Sequence, residues 1–168
     1  RVAYVYETLA QVQEFVARGA EDDGGEVDEA IGSMLGNFID KMRDDLNTAG
    51  AYGELSEPLA AVNRLLQSGK GINKALRKRS IARFGKDFAQ VAEVLGCFER
   101  DPNAYLMERR DLKAVRTGLD VAKVEGLVAD RRAARDAKDW SRADELRDEL
   151  DKLGVKIRDA GDETIWSL

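Results

Sequence analysis

Along this chain apolar residues return every three or four positions in run after run, and each run predicts one amphipathic helix. Val2, Val5, Tyr6, Leu9, Val12 and Val16, with Phe15 at the edge of the stripe, predict a helix over 2–18 that ends near Gly19. The stretch AEDDGGE that follows, 20–26, is acidic and holds paired glycines, so it reads as a flexible connection whose charges need no partner. Val27, Ile31, Met34, Leu35, Phe38, Ile39 and Met42 predict a second helix reaching Arg43. A third, capped by Asn47 or Thr48, is carried by Tyr52, Leu55, Leu59, Val62, Leu65 and Leu66 as far as Ser68 and Gly69. Pro58 inside it demands a kink or a restart, because proline lacks an N–H and its ring crowds the preceding turn. Phe84, Phe88, Val91, Val94 and Leu95 mark a fourth helix. Cys97 and Phe98 close a face that reads as buried, with Cys97 a small core residue rather than a reactive thiol.

Beyond position 100 the pattern changes. Asp101-Pro102 is an N-cap followed by proline at the first helical position, which predicts a short helix through Ala104, Tyr105 and Leu106. Residues 108–119, ERRDLKAVRTGL, are poorly patterned and contain Gly118; the boundary is placed here, between a helical bundle over 1–115 and a C-terminal domain over 116–168. Asp120 caps a helix bearing Val121, Val124, Leu127 and Val128 that runs on to Ala137. The next helix carries Trp140, Ala143, Leu146, Leu150 and Leu153 and stops at Gly154, a residue suited to positive φ. Residues 155–158 and 164–168 alternate with period two around DAGDE, which predicts an antiparallel hairpin. A lone hairpin is marginal, so its apolar side, with Ile157 and Trp166 as candidates, must rest on the helices. The fold class is mostly α: an antiparallel helical bundle followed by a small C-terminal helical pair with a β-hairpin.

Composition narrows the chemistry. The 168 residues suffice for one ordinary domain with a small appendage, and 43% hydrophobic with 35% charged residues describes a chain able to bury a core. No apolar run is long enough to cross a bilayer and the first residues lack the layout of a secretory signal, so no membrane partner and a cytoplasmic location are expected. A start at Arg1 rather than Met points to a processed or excised protein. Histidine is absent and Cys97 is the single cysteine, which removes Ser/His/Asp sites, Cys/His sites, thiolate metal clusters and most catalytic zinc sites. No phosphate loop of GxxxxGK spacing occurs, and no carboxylate stands in a catalytic signature, so the chain is not expected to be catalytic alone.

The net charge of -5 argues against nonspecific gripping of duplex DNA. Local charge says something different. Lys70, Lys74, Arg77, Lys78, Arg79, Arg83 and Lys86 stand with no acidic residue between 70 and 86, a polyanion signal or a solvated helix face balancing an acidic remainder. Near the C-terminus, Arg135 with Asp139 and Asp144 with Arg147 have the spacing of surface ion pairs. The same residues could instead hydrogen-bond the edges of unpaired bases, with a tryptophan beside them as a stacking surface. Trp140 lies on the apolar stripe of its helix, so packing competes with stacking there; Trp166 reads as packing.

The order of three segments resembles cysteinyl-tRNA synthetases. RRAARDAKDWSRADELRDELDKLGVKIRDAGDETIW, 131–166, resembles the family's C-terminal signature: an arginine-rich helix, a KDW-x-x-AD turn, an RD-x-L helix and a closing D-x-x-x-G-T-x-W ribbon. FIDKMRDDLNTAGAYGEL, 38–55, is similar to its F-x-x-AMDDDFNTPEA-x-x-x-L stretch, and VLGCFERDPNAYL, 94–106, to its VLG-x-x-x-x-DP-x-x-FL segment. The resemblance implies a helical bundle of the DALR class and a small domain that touches the anticodon of cysteine tRNA. Carried over, Arg135 and Asp144 would be base readers, with Arg147 and Asp159 beside them and Trp140 as a planar wall. Lys74, Arg77, Lys78, Arg79 and Arg83 would be contacts to the tRNA backbone, or solvent-facing.

It further implies a monomeric parent enzyme that uses ATP, Mg and Zn to activate cysteine and transfer it to the tRNA 3′ end. This chain would hold none of those cofactors and would work with the enzyme's own catalytic domain. Two positions depart from the pattern: Ala49 stands where the family has the proline of NTPEA, and Glu163 where the ribbon has a glycine, so the placement of Asp159 is open. The competing readings are a stand-alone RNA-binding or structural helical module, and a relative joining cysteine to a small amine, against which the intact KDW-x-x-AD segment argues.

Overall fold

Helical spacing in the first hundred residues becomes a bundle. In the computed structural model, which describes residues 2–67, 71–160 and 163–168, α1 (Val2–Ala17) buries Val5, Tyr6, Ala10 and Val12, while Val2 and Val16 at its ends are exposed. α2 (Glu29–Arg43) buries Ile31, Met34 and Phe38, and its N-cap Asp28 accepts from the Ala30 N–H at 3.1 Å. The Asp28 N–H itself donates at 2.8 Å to Ser80, a fully buried hydroxyl of α5 (Lys74–Leu95). α5 packs on α1, α2 and α4 (Ser56–Gln67), and its Ile81, Phe84, Phe88 and Val91 form the centre of the core.

The expected third helix is two. α3 (Thr48–Glu54) ends at Leu55, and α4 restarts at once with Pro58 in its first turn, where a missing N–H leaves no intrahelical bond unmade. The end of α4 expected at Ser68 and Gly69 lies outside the described residues, as does Lys70. Lack of the family's proline does not prevent α3 from starting: Asn47 Oδ1 accepts from the Gly50 N–H at 2.8 Å. A Cβ on Gly50 would come within 2.8 Å of that Asn47 side chain, so glycine lets the cap lie against the helix.

Three expectations need correction. The acidic loop after α1 does have partners: Asp22 pairs with Arg83 at 3.3 Å and Asp23 with Arg79 at 3.4 Å. Cys97 is half-buried rather than core, with its Sγ 3.2 Å from the Tyr52 hydroxyl, and that hydrogen bond together with burial pushes the tyrosine pKa up. The helix begun by the Asp101 cap, α6 (Pro102–Thr117), does not stop near Leu106. Residues 107–117 keep high helix propensity without periodicity, so propagation continues with Ala114 as its only fully buried apolar side chain.

The chain divides into two compact units, Arg1–Leu106 and Met107–Leu168, and the division falls inside α6. In the second, α7 (Val121–Asp136) packs along α8 (Trp140–Lys152), and β1 (Lys156–Ala160) pairs antiparallel with β2 (Glu163–Ser167). The chain leaves α8 through Gly154 at φ 76°, a left-handed conformation that glycine adopts without strain. Ile157 faces Trp166 in the ladder, and Val124, Leu150, Val155 and Trp166 form the small core. Arg110 lies over the Trp166 ring, 4.1 Å from its centroid.

Candidate nucleic-acid interface

The end of the C-terminal unit where α7 turns into α8 gathers most of the candidate residues. Asp120 starts α7 by accepting from the Lys123 N–H at 3.1 Å, and the helix carries Arg131 and Arg135 one turn apart on one face. After Ala137 the chain takes a left-handed step at Lys138, φ 60°, and Asp139 then caps α8 by accepting from the Arg142 N–H at 3.0 Å. The pairing of Arg135 with Asp139 expected from their spacing is therefore not made. The Asp139 carboxylate is used as a cap, and Arg135 turns instead to the ribbon.

There it meets Asp159. Arg131 holds this carboxylate with both ends of its fork, Nη1 to Oδ1 at 3.0 Å and Nη2 to Oδ2 at 3.2 Å. Arg135 Nη1 also donates to Oδ2, and the Thr164 hydroxyl, the neighbour of Asp159 across the ladder, donates to Oδ1 at 3.0 Å. With Glu163 in the ribbon, Asp159 stands opposite Thr164 in the ladder and meets Arg131 of α7. The Arg131 bond, then those of Arg135 and Thr164, outweigh burial and hold the Asp159 carboxyl well below the usual carboxylate range.

A carboxyl so depressed contributes stability that is complete above the ordinary carboxylate pKa of about 4 and is lost as pH falls through the folded value. The expected result is a melting temperature of the C-terminal unit that drops on acidification below about pH 4. An Asp159→Asn variant, whose amide does not titrate, should show a shallower acid limb. Parallel acid limbs in the two proteins, followed by Trp166 fluorescence, would contradict this.

α8 presents the remaining candidates. Trp140, Asp144 and Arg147 share one face by helical period, roughly a quarter turn from the buried stripe of Ala143, Leu146 and Leu150. Trp140, which the apolar pattern placed in the packing stripe, is instead 60% exposed at the first residue of the helix. Trp166 is 5% exposed, as packing requires. Asp144 and Arg147 are exposed and do not pair with each other; among the described residues neither has a hydrogen-bond or ion-pair partner.

The basic segment of the first unit is mostly occupied by the protein itself. Arg77 bonds the Leu65 and Leu66 carbonyls at the end of α4 and lies 4.7 Å from the centroid of the Phe15 ring. Lys78 bonds the Gly19 carbonyl at 3.0 Å. Arg79 and Arg83 hold the acidic loop, and Arg83 also donates to the buried Asp87 at 2.9 Å. Among the described residues Lys74 alone of the five candidate cations is exposed and without a partner.

Arg131 is the residue that sequence reasoning passed over. Its spacing of four from Arg135 was a signal, but its partner stands 28 residues away on another element. No group of three or more His, Cys, Asp or Glu side chains is placed to hold a metal ion among the described residues. No helix among the described residues is long and apolar enough to cross a membrane.

Comparison with known proteins bears on this geometry. Residues 37–99 match the family model described as DALR domain, and residues 120–166 match that described as cysteinyl-tRNA ligase anticodon binding domain. The chain is 36% identical to the cysteine-tRNA ligase of Maridesulfovibrio salexigens, the match covering 98% of this chain and 34% of that protein. It is 34% identical to that of Geobacter metallireducens over the same shares, 98% and 34%. With that of Nitratidesulfovibrio vulgaris it shares 37% identity over 78% of this chain and 27% of the relative. The chain therefore spans about a third of the length of the curated relatives it matches.

Proposed function

We propose that this chain, which belongs to the cysteinyl-tRNA ligase family over its DALR and anticodon-binding domains, recognises the anticodon of cysteine tRNA for a parent ligase. That ligase would join L-cysteine to the tRNA with ATP. Its chemistry, and the ATP, Mg and Zn it would use, reside outside this chain. The parent would act as a cytoplasmic monomer, with its catalytic domain as this chain's protein partner.

The observation that carries the reading is the exposure of Trp140 on the same face as Asp144 and Arg147. A tryptophan kept for packing is buried, as Trp166 is. One left 60% exposed offers a flat surface on which an unpaired base can stack, a contact worth about 1 to 3 kcal/mol. Asp144 supplies an acceptor and Arg147 a donor fork without internal partners, and Arg135 meets Asp159 at the end of α7 in the same unit. A net-acidic protein can bind RNA in this way, because base edges are read by hydrogen bonds and stacking rather than by summed charge. A phosphate contact on α5 rests on Lys74; Arg77, Lys78, Arg79 and Arg83 would have to leave partners to make one.

In binding terms, recognition at the anticodon places the distant acceptor end in reactive geometry. Footprinting of cysteine tRNA on the full-length ligase should show protection of the anticodon, lost on Arg135→Ala or Asp144→Ala. Protection and aminoacylation that survive both substitutions unchanged would refute the reading.

A further inference from the structure

The two arginines that meet Asp159 are not equivalent. Arg131 is 9% exposed in its side chain and gives both terminal nitrogens of its fork to the carboxylate. Arg135 is 40% exposed and gives one nitrogen, Nη1, to the same carboxylate. Its Nε and Nη2 have no partner among the described residues. Those two donors form the side edge of a planar guanidinium, the edge that meets two adjacent acceptors in a bidentate pair.

We infer that Arg131 is a positioning residue: by fixing Asp159 it makes that carboxylate a stop against which Arg135 is held, so that the free Nε–Nη2 edge of Arg135 faces a nucleobase. The inference rests on the proposed anticodon reading and extends it to the chemistry of one base. Two parallel N–H donors select a base with two neighbouring acceptors, guanine through O6 and N7 or cytosine through N3 and O2. Adenine and uracil present a donor beside an acceptor on the corresponding edges and are disfavoured.

The division of labour follows from the count of donors on Asp159. If Arg135 were its sole partner, a base would compete with the carboxylate for the guanidinium, and recognition would loosen the ribbon. With Arg131 and Thr164 occupying both oxygens, the carboxylate stays neutralised while Arg135 binds outward. Lysine at position 131 keeps the charge but replaces the planar fork with a compact, rotatable ammonium, so it does not hold the two oxygens with parallel bonds and leaves the carboxylate freer to turn.

The test uses the full-length ligase and cysteine-tRNA transcripts substituted singly at each anticodon position, with kcat/KM for cysteinylation as the readout. Arg135→Ala is expected to remove discrimination at one position, on the order of tenfold, the size of one bidentate base contact. Arg131→Lys should remove discrimination at that same position and leave the other two intact, and Arg131→Lys with Arg135→Ala should lose nothing more. Asp159→Asn, which keeps the ribbon's shape, should behave as Arg131→Lys does. Full discrimination in Arg131→Lys, or a parallel fall at all three positions, overturns the positioning role while leaving the anticodon reading standing. A wild-type ligase that charges every anticodon variant equally overturns both.

Discussion

Trp166→Ala is expected to unfold the C-terminal ribbon. The indole is 5% exposed in a cluster with Val124, Leu150 and Val155, and Arg110 lies over its ring, 4.1 Å from the centroid. Removing a buried aromatic of that size costs about 3 to 5 kcal/mol, because the cavity lining loses its contacts and relaxes only partly into the space. A unit of this length holds only about 3 to 9 kcal/mol in all, so the loss is comparable to the whole. The effect should appear as a lowered melting temperature by circular dichroism and fast amide exchange throughout β1 and β2. Trp140→Ala, which removes an exposed ring, should shift stability by no more than about 0.5 kcal/mol. Equal melting of the two variants would refute the assignment of Trp166 to the core. The functional consequence is specific: Asp159 reaches Arg131 and Arg135 from β1, so loss of the ribbon removes the stop against which Arg135 is held.

Phe84→Ala is the second large effect. Phe84 is fully buried on α5, stacked on Phe88 with ring centroids 5.5 Å apart, in the core that α5 shares with α1, α2 and α4. Truncation should cost about 3 to 5 kcal/mol and move the urea midpoint of the first unit downward without changing its slope. Collapse of the neighbours into the space is limited, since α1 already approaches α5 so closely that a Cβ on Gly85 would stand 3.0 Å from Val12 Cγ1. The same substitution loosens the helix that carries Arg79 and Arg83, so their pairs with Asp23 and Asp22 should open as well. An unmoved urea midpoint would show that the aromatic pair does not hold the bundle.

Much of the fold was legible because it is written locally. α1, α2, α5, α7 and α8 bury most of the stripes that a 3.6-residue period marks, with Val2, Val16, Val94 and Trp140 left exposed, and Asn47, Asp101 and Asp120 cap their helices as read. The ribbon followed from period two, with Ile157 opposite Trp166. Where propensity acts without periodicity, as in α6 beyond Leu106, the pattern was silent and the helix went unread.

The candidate site was legible by kind and not by pairing. Spacing alone offered Arg135 to Asp139 and Asp144 to Arg147, the nearest neighbours on a helix surface. Folding chose otherwise, because Asp139 is needed by the bare N–H groups at the start of α8 and the ribbon brings a second carboxylate to Arg135. The basic run at 70–86 likewise reads as open charge in one dimension, yet the loop that precedes α2 supplies it with carboxylates.

By itself, then, the sequence determined which elements form and which family they resemble, since caps, turn residues and hydrophobic period act over a few neighbours. Tertiary structure decided which charges remain available. A salt bridge depends on the distance between side chains far apart in sequence, and only packing sets that distance. It left Trp140, Asp144, Arg147 and one edge of Arg135 outward, and turned Arg131, Arg77, Lys78, Arg79 and Arg83 to the protein's own acceptors.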